Sequence, residues 1–127
     1  MLQQPIGRAY EHWYPWPLEL SLLNEWSQEF LGEQDFQSFQ TTGTEVHTTV
    51  RTVFESQWEQ NGDLFEYKVT GSGFLKQMVR NMVGTMLKMA EKNLKVADLK
   101  KIIESRDRSK SFESAPAQGL FLYKVEY

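Results

Sequence analysis

The chain contains no cysteine, which excludes disulfides, thiolate nucleophiles and thiolate metal ligands together. Its only two histidines, His12 and His47, stand far apart and lack the spacing of a metal site. No metal and no cofactor are expected. No window reaches the ~18 consecutive apolar residues of a membrane span. The first residues, MLQQPIGRAYEHW, lack the charged-then-apolar order of a secretory signal. A cytoplasmic protein that does not enter the membrane is the resulting expectation. Repeats, low-complexity tracts and linkers are missing too, so the 127 residues are read as one domain, 1–127, long enough to bury a core.

Charge is distributed unevenly. The net charge is −3, but residues 1–63 carry two basic and ten acidic side chains, net −8, and residues 64–127 carry twelve basic and seven acidic, net +5. A basic face built from the second half follows if those charges stay together in space. If they mix with the acidic half, the surface is an ordinary solvated one.

From Leu18 the apolar positions Leu18, Leu22, Leu23, Trp26, Phe30 and Leu31 keep a helical period, and Gly32 is placed to end that helix at positive φ. A polar segment with Asp35-Phe36-Gln37-Ser38-Phe39 and the loop TTGTEVHT follow. Thr49–Glu59 is rich in strand formers, and Asn61-Gly62 predicts a hairpin into Leu64–Thr70, with Phe65, Tyr67 and Val69 on one face. A second helix is predicted from Phe74 to about Lys92, its apolar arc made by Leu75, Met78, Val79, Met82, Val83, Met86 and Met89. A third carries Val96, Leu99, Ile102 and Ile103 inward, and Leu120–Tyr127 reads as a last strand. Arg8–Tyr14 alternates poorly but is the one candidate for a first strand. The order (β)αββαβ predicts an α+β fold, a ferredoxin-like plait in which helices pack on one face of an antiparallel sheet.

Little of the chemistry-bearing inventory stands up. Gly71-Ser72-Gly73 lies between a strand and a helix, yet Lys76 occupies the third glycine position of a dinucleotide fingerprint and no GK[ST] follows. A tight turn explains it, with room for one backbone phosphate at the helix start. Asp35, Asp63, Asp98 and Asp107 are scattered beside turn or cap signals and form no acid–base dyad. Arg80 is different. It falls at the margin of the apolar arc, with Gly84 one turn on, where a planar and permanently charged fork can grip a carboxylate or phosphate. A half-exposed arginine paired with a nearby glutamate fits the pattern equally well.

The blocks GSGF, MVRNMVG and DRSKSFESAPAQGLFLYKVEY, with LGEQDFQSF (Leu31–Phe39) and TTVRTV (Thr48–Val53) upstream, resemble the tRNA pseudouridine synthase A family. In order and spacing they cover about Trp13 to Tyr127, the C-terminal half of that family's catalytic domain. The resemblance implies an isomerase that converts uridine to pseudouridine in the tRNA anticodon stem-loop without metal or organic cofactor. An aspartate initiates cleavage of the glycosidic bond, the uracil turns over, and a carbon–carbon bond to the ribose forms. The arginine of the MVRN block pairs with that aspartate, a role that falls to Arg80 here. The leucine of the GL pair, here Leu120, lines the uracil pocket and keeps water from the reacting base. For an RNA substrate, Lys76 and Lys88 of the basic half are the expected backbone contacts.

The departures from the family are informative. The aspartate belongs to a GRTDAGVHA-like block that this chain does not contain, and Gly7-Arg8-Ala9-Tyr10 cannot replace it. The tyrosine that stacks on the target base precedes the matching region. Gln77 stands where histidine is frequent, Asn93 near a usual glycine, and Asp35 in a G-x-x-D-F block that reads as structural. The chain alone is therefore expected to be inactive, with the missing N-terminal half and a second copy of itself, as a homodimer, as expected partners. A non-catalytic RNA-binding or assembly module of the same fold, and a protein–protein module using the acidic half, are the other readings.

Overall fold

The computed structural model describes residues 18–41, 48–61, 64–75, 77–112 and 122–126. The expected strand at Arg8–Tyr14, the hairpin tip at Gly62-Asp63 and the loops 42–47 and 113–121 lie outside these. Helix α1 (Leu20–Ser27) runs through a 3-10 turn, Gln28–Phe30, into strand β1 (Gly32–Asp35). A second 3-10 turn, Gln37–Phe39, precedes β2 (Val50–Asn61) and β3 (Leu64–Gly71). Helices α2 (Met78–Lys92) and α3 (Val96–Ser105), a 3-10 turn at Arg108–Lys110 and β4 (Leu122–Glu126) complete the order.

The sheet order is β1-β2-β3-β4, with the first three strands antiparallel and β4 parallel to β3. The α+β class stands, but the expected purely antiparallel sheet does not. A plait places a further strand between β3 and β4. Among the described residues these two pair directly, and parallel pairing follows because α2 and α3 form a crossover between them.

Alternation places Ser56 and Trp58 of β2 and Phe65, Tyr67 and Val69 of β3 on the helix-covered face, all buried. Against them lie Leu23 and Trp26 of α1 and Met78, Met82, Met86 and Met89 of α2, each no more than 1% exposed. Each such side chain contributes roughly 1.5–3 kcal/mol by leaving water. The Trp58 ring lies 5.1 Å from that of Tyr67, tilted by 37°, and donates its indole N–H to Met86 Sδ.

Strand β1 covers only Val50–Val53 of β2. Beyond it, α1 closes the edge with side chains. Asn24 accepts from the Trp58 amide (2.7 Å) and donates to its carbonyl (3.1 Å), and Ser27 and Gln28 both donate to the Ser56 carbonyl. This part of the β2 edge is thus satisfied by polar side chains of α1 and the 3-10 turn after it.

Three helix boundaries are set by left-handed residues, Arg106 (φ 52°) at the end of α3 being one. Gln77 (φ 57°) precedes α2, so the helix starts four residues later than its apolar pattern does. Asn93 (φ 58°) ends it, doing the work of the glycine usual there, since asparagine tolerates this region well. Gly32 adopts φ 91° as expected, but at the entrance to β1, after α1 has already tightened into its 3-10 turn.

Candidate functional site

The start of α2 gathers the chemistry. Its first turn carries Arg80, which is half-buried as the margin of an apolar arc requires, while Gly84, one turn on, is buried. Next to Arg80, Asn81 is fully buried, a polar side chain on the apolar arc that must find partners. Its amide Nδ2 donates to the Phe39 carbonyl, and its Oδ1 accepts from Nη2 of Arg108 at 3.2 Å. Arg108 also donates through Nη1 to Ser111 Oγ (2.7 Å) and to the Phe112 carbonyl (3.1 Å).

Ser38 extends the cluster. Its hydroxyl donates to the Ile102 carbonyl (2.7 Å) and accepts from the Asp107 amide (3.0 Å), and its carbonyl accepts from Ser111 Oγ. Thr85 Oγ1 receives the Phe112 amide. The turn after Phe36, the first turns of α2, the end of α3 and the segment 107–112 are therefore joined by one polar network. Asp107 folds back onto Ser109, whose hydroxyl and amide hold its carboxyl below the usual carboxylate range.

At the mouth of the network, Thr41 Oγ1 donates to Gln77 Oε1 at 2.8 Å. Gln77 is exposed and its backbone is in the left-handed region, a conformation costing on the order of 1 kcal/mol for a non-glycine residue. Thr41 and Phe112, the last described residues before 42–47 and 113–121, are both tied into this cluster, Thr41 through Gln77 and Phe112 through Arg108 and Thr85.

Lys88 is half-buried and paired with Glu91 at 3.2 Å, one turn further along α2. Lys76 and Leu120 lie outside the described residues. Asp35 accepts from Thr49 Oγ1 (2.6 Å) and the Gln37 amide (3.0 Å), the turn-forming role expected of it. Among the described residues no group of three or more His, Cys, Asp or Glu is arranged to hold a metal ion.

These are the parts that surround the MVRN block, and a family model of tRNA pseudouridine synthase matches residues 27–127. The chain belongs to the tRNA pseudouridine synthase family. It is 46% identical over 119 residues to tRNA pseudouridine synthase A of Bdellovibrio bacteriovorus, covering 93% of this chain and 45% of that protein. With the protein of the same name from Clostridium acetobutylicum the identity is 39% over 122 residues, 96% of this chain and 50% of the relative. With that of Staphylococcus aureus it is 38% over 123 residues, 97% and 46%. The chain spans about half the length of the curated synthases it matches.

Asn81, Arg108 and Ser38 are the residues of this polar network that sequence reasoning passed over. One signal was available. An asparagine that falls at helical spacing among buried methionines needs hydrogen-bond partners from elsewhere in the fold.

Proposed function

We propose that this chain supplies the C-terminal part of the catalytic domain of a tRNA pseudouridine synthase, a cytoplasmic enzyme that isomerises uridine to pseudouridine in the anticodon stem-loop. The observation that carries this reading is Arg80, half-buried on the first turn of α2 and next in sequence to Asn81, which ties that turn to Phe39 and Arg108. A guanidinium on so anchored a helical turn can hold a carboxylate bidentately. The aspartate it would orient comes from the missing N-terminal half. Leu120 would line the uracil pocket, and its segment departs from Phe112, which Arg108 anchors.

Lys76 and Lys88 remain proposed contacts to the RNA backbone, Lys88 after release from Glu91. The chemistry calls for no metal or organic cofactor. In the complete catalytic domain a strand of the missing half would insert between β3 and β4, converting the present sheet into a ferredoxin-like plait. In the isolated chain the far edge of β4 is proposed to pair with a second copy, giving a homodimer.

The test is tritium release from C5-labelled uridine in an anticodon-arm RNA. The chain alone is expected to release none, because it has no GRTD block, and addition of the missing half is expected to restore release. Turnover by the isolated chain would overturn the role given to Arg80. A second reading, a non-catalytic RNA-binding module, is favoured by the same missing block. It predicts RNA binding with no turnover even when the other half is present.

A further inference from the structure

The residues from the end of α2 to the last 3-10 turn carry an unusual share of positive charge. Between Lys92 and Lys110 there are seven basic side chains and three acidic ones. Helix α3 turns Leu99 and Ile102 inward and leaves Lys100 and Lys101 exposed. Lys92 and Lys95 are exposed just before it, and Arg106 and Lys110 just after.

Two of the three carboxylates are occupied locally. Asp98 accepts from the Lys95 amide at 2.8 Å, and Asp107 accepts from Ser109. Among the described residues, none of Lys92, Lys95, Lys100, Lys101 and Lys110 forms an ion pair, and Arg106, 67% exposed, only approaches Asp35 at 3.8 Å. These cations would give up little internal bonding to meet an anion.

The strip also has a direction. Ten residues of α3 extend roughly 15 Å, and beyond them Arg108 reaches Asn81, the neighbour of Arg80. The uncovered face of the sheet has the opposite character. Alternation places Glu55 and Glu59 there, with Lys68 paired to Glu55 at 3.6 Å.

We propose that the α3 strip, centred on Lys95, Lys100, Lys101 and Lys110, docks the phosphodiester backbone of RNA and leads the strand toward Arg80. The inference rests on the functional reading above and names the surface that reading lacks. RNA is the occupant because the strip offers charge without an apolar anchor. Among the described residues the exposed large hydrophobic ones are Leu22, Val50 and Phe54. Val50 and Phe54 lie on β2, and Leu22 lines a cleft with Asn93 and Leu94 at the near end of the strip, away from Lys100, Lys101 and Lys110. A protein interface is built around an apolar centre, and a membrane-binding helix needs apolar residues to insert.

Fluorescence anisotropy of a labelled anticodon-arm hairpin, titrated with the chain across a range of salt, tests the proposal. The triple variant Lys100→Gln, Lys101→Gln, Lys110→Gln should keep the wild-type Tm, since all three side chains are exposed. Its slope of log K against log salt should be shallower by about 2, because each lost phosphate contact removes somewhat less than one unit. Lys68→Gln should leave the slope unchanged. An unchanged slope in the triple variant overturns the docking surface while leaving the RNA reading intact. No binding by the wild type at low salt overturns both. Competition by polyglutamate as effective as that by unlabelled RNA would reassign the strip to an acidic protein.

Discussion

Tyr67 is where the core carries a titratable group without a functional demand. Its ring is fully buried and its hydroxyl shares a 2.6 Å hydrogen bond with Ser56. Burial disfavours the phenolate and pushes the pKa well above the ordinary 10, while the bond to Ser56 acts in the opposite direction and is the smaller effect. Because the folded-state value is raised, the contribution to stability is complete below pH 10 and is lost as pH climbs toward the folded value. Tyr67→Phe should cost about 1 kcal/mol at neutral pH, the net worth of a buried hydrogen bond. Urea unfolding at pH 8 and pH 11 should show the gap between variant and wild type shrinking in alkali. A gap that widens would mean the phenolate is tolerated inside.

At the scale of elements, the two edges of the sheet differ. Strand β2 is closed by β1, by Asn24 and Ser27 of α1 and by Gln28 of the 3-10 turn, so it offers little template for another chain. Among the described residues nothing pairs with the far edge of β4. Self-association through that edge should appear in sedimentation velocity as a dimer that a proline at Lys124 or Val125 reduces to monomer. A monomer at all concentrations would show that β4 is covered. The hairpin was readable from Asn61-Gly62 and the alternation around it, and α2 from its methionine arc. Strand β1 was not, because Gly-Glu-Gln-Asp has no apolar alternation and is a strand only through its pairing with β2. The MVRN block that holds Arg80 was recognisable in the sequence. The bond between Arg80's neighbour Asn81 and Arg108 was not, since the two are 27 residues apart and meet only when α3 folds back.

The whole molecule is built around one helix. Met78, Met82, Met86 and Met89 line the side of α2 that faces the sheet and α1, and all four are fully shielded from solvent. Methionine is an adaptable filler, and its flexibility lets one helix pack against both aromatic β2–β3 and the α1 surface. A thioether also reacts with peroxide, and conversion to the sulfoxide puts a polar group into the packing. Shielded sulfurs react only through molecules that have opened. Oxidation of these four by dilute hydrogen peroxide, followed by mass spectrometry, should therefore be slow in buffer and rise with urea in step with the unfolded fraction. Rapid oxidation without urea would mean that α2 leaves the core while the rest stays folded. Once oxidised, the chain could not repack α2 as before, so an oxidant would turn each transient opening into a lasting loss of the helix that presents Arg80.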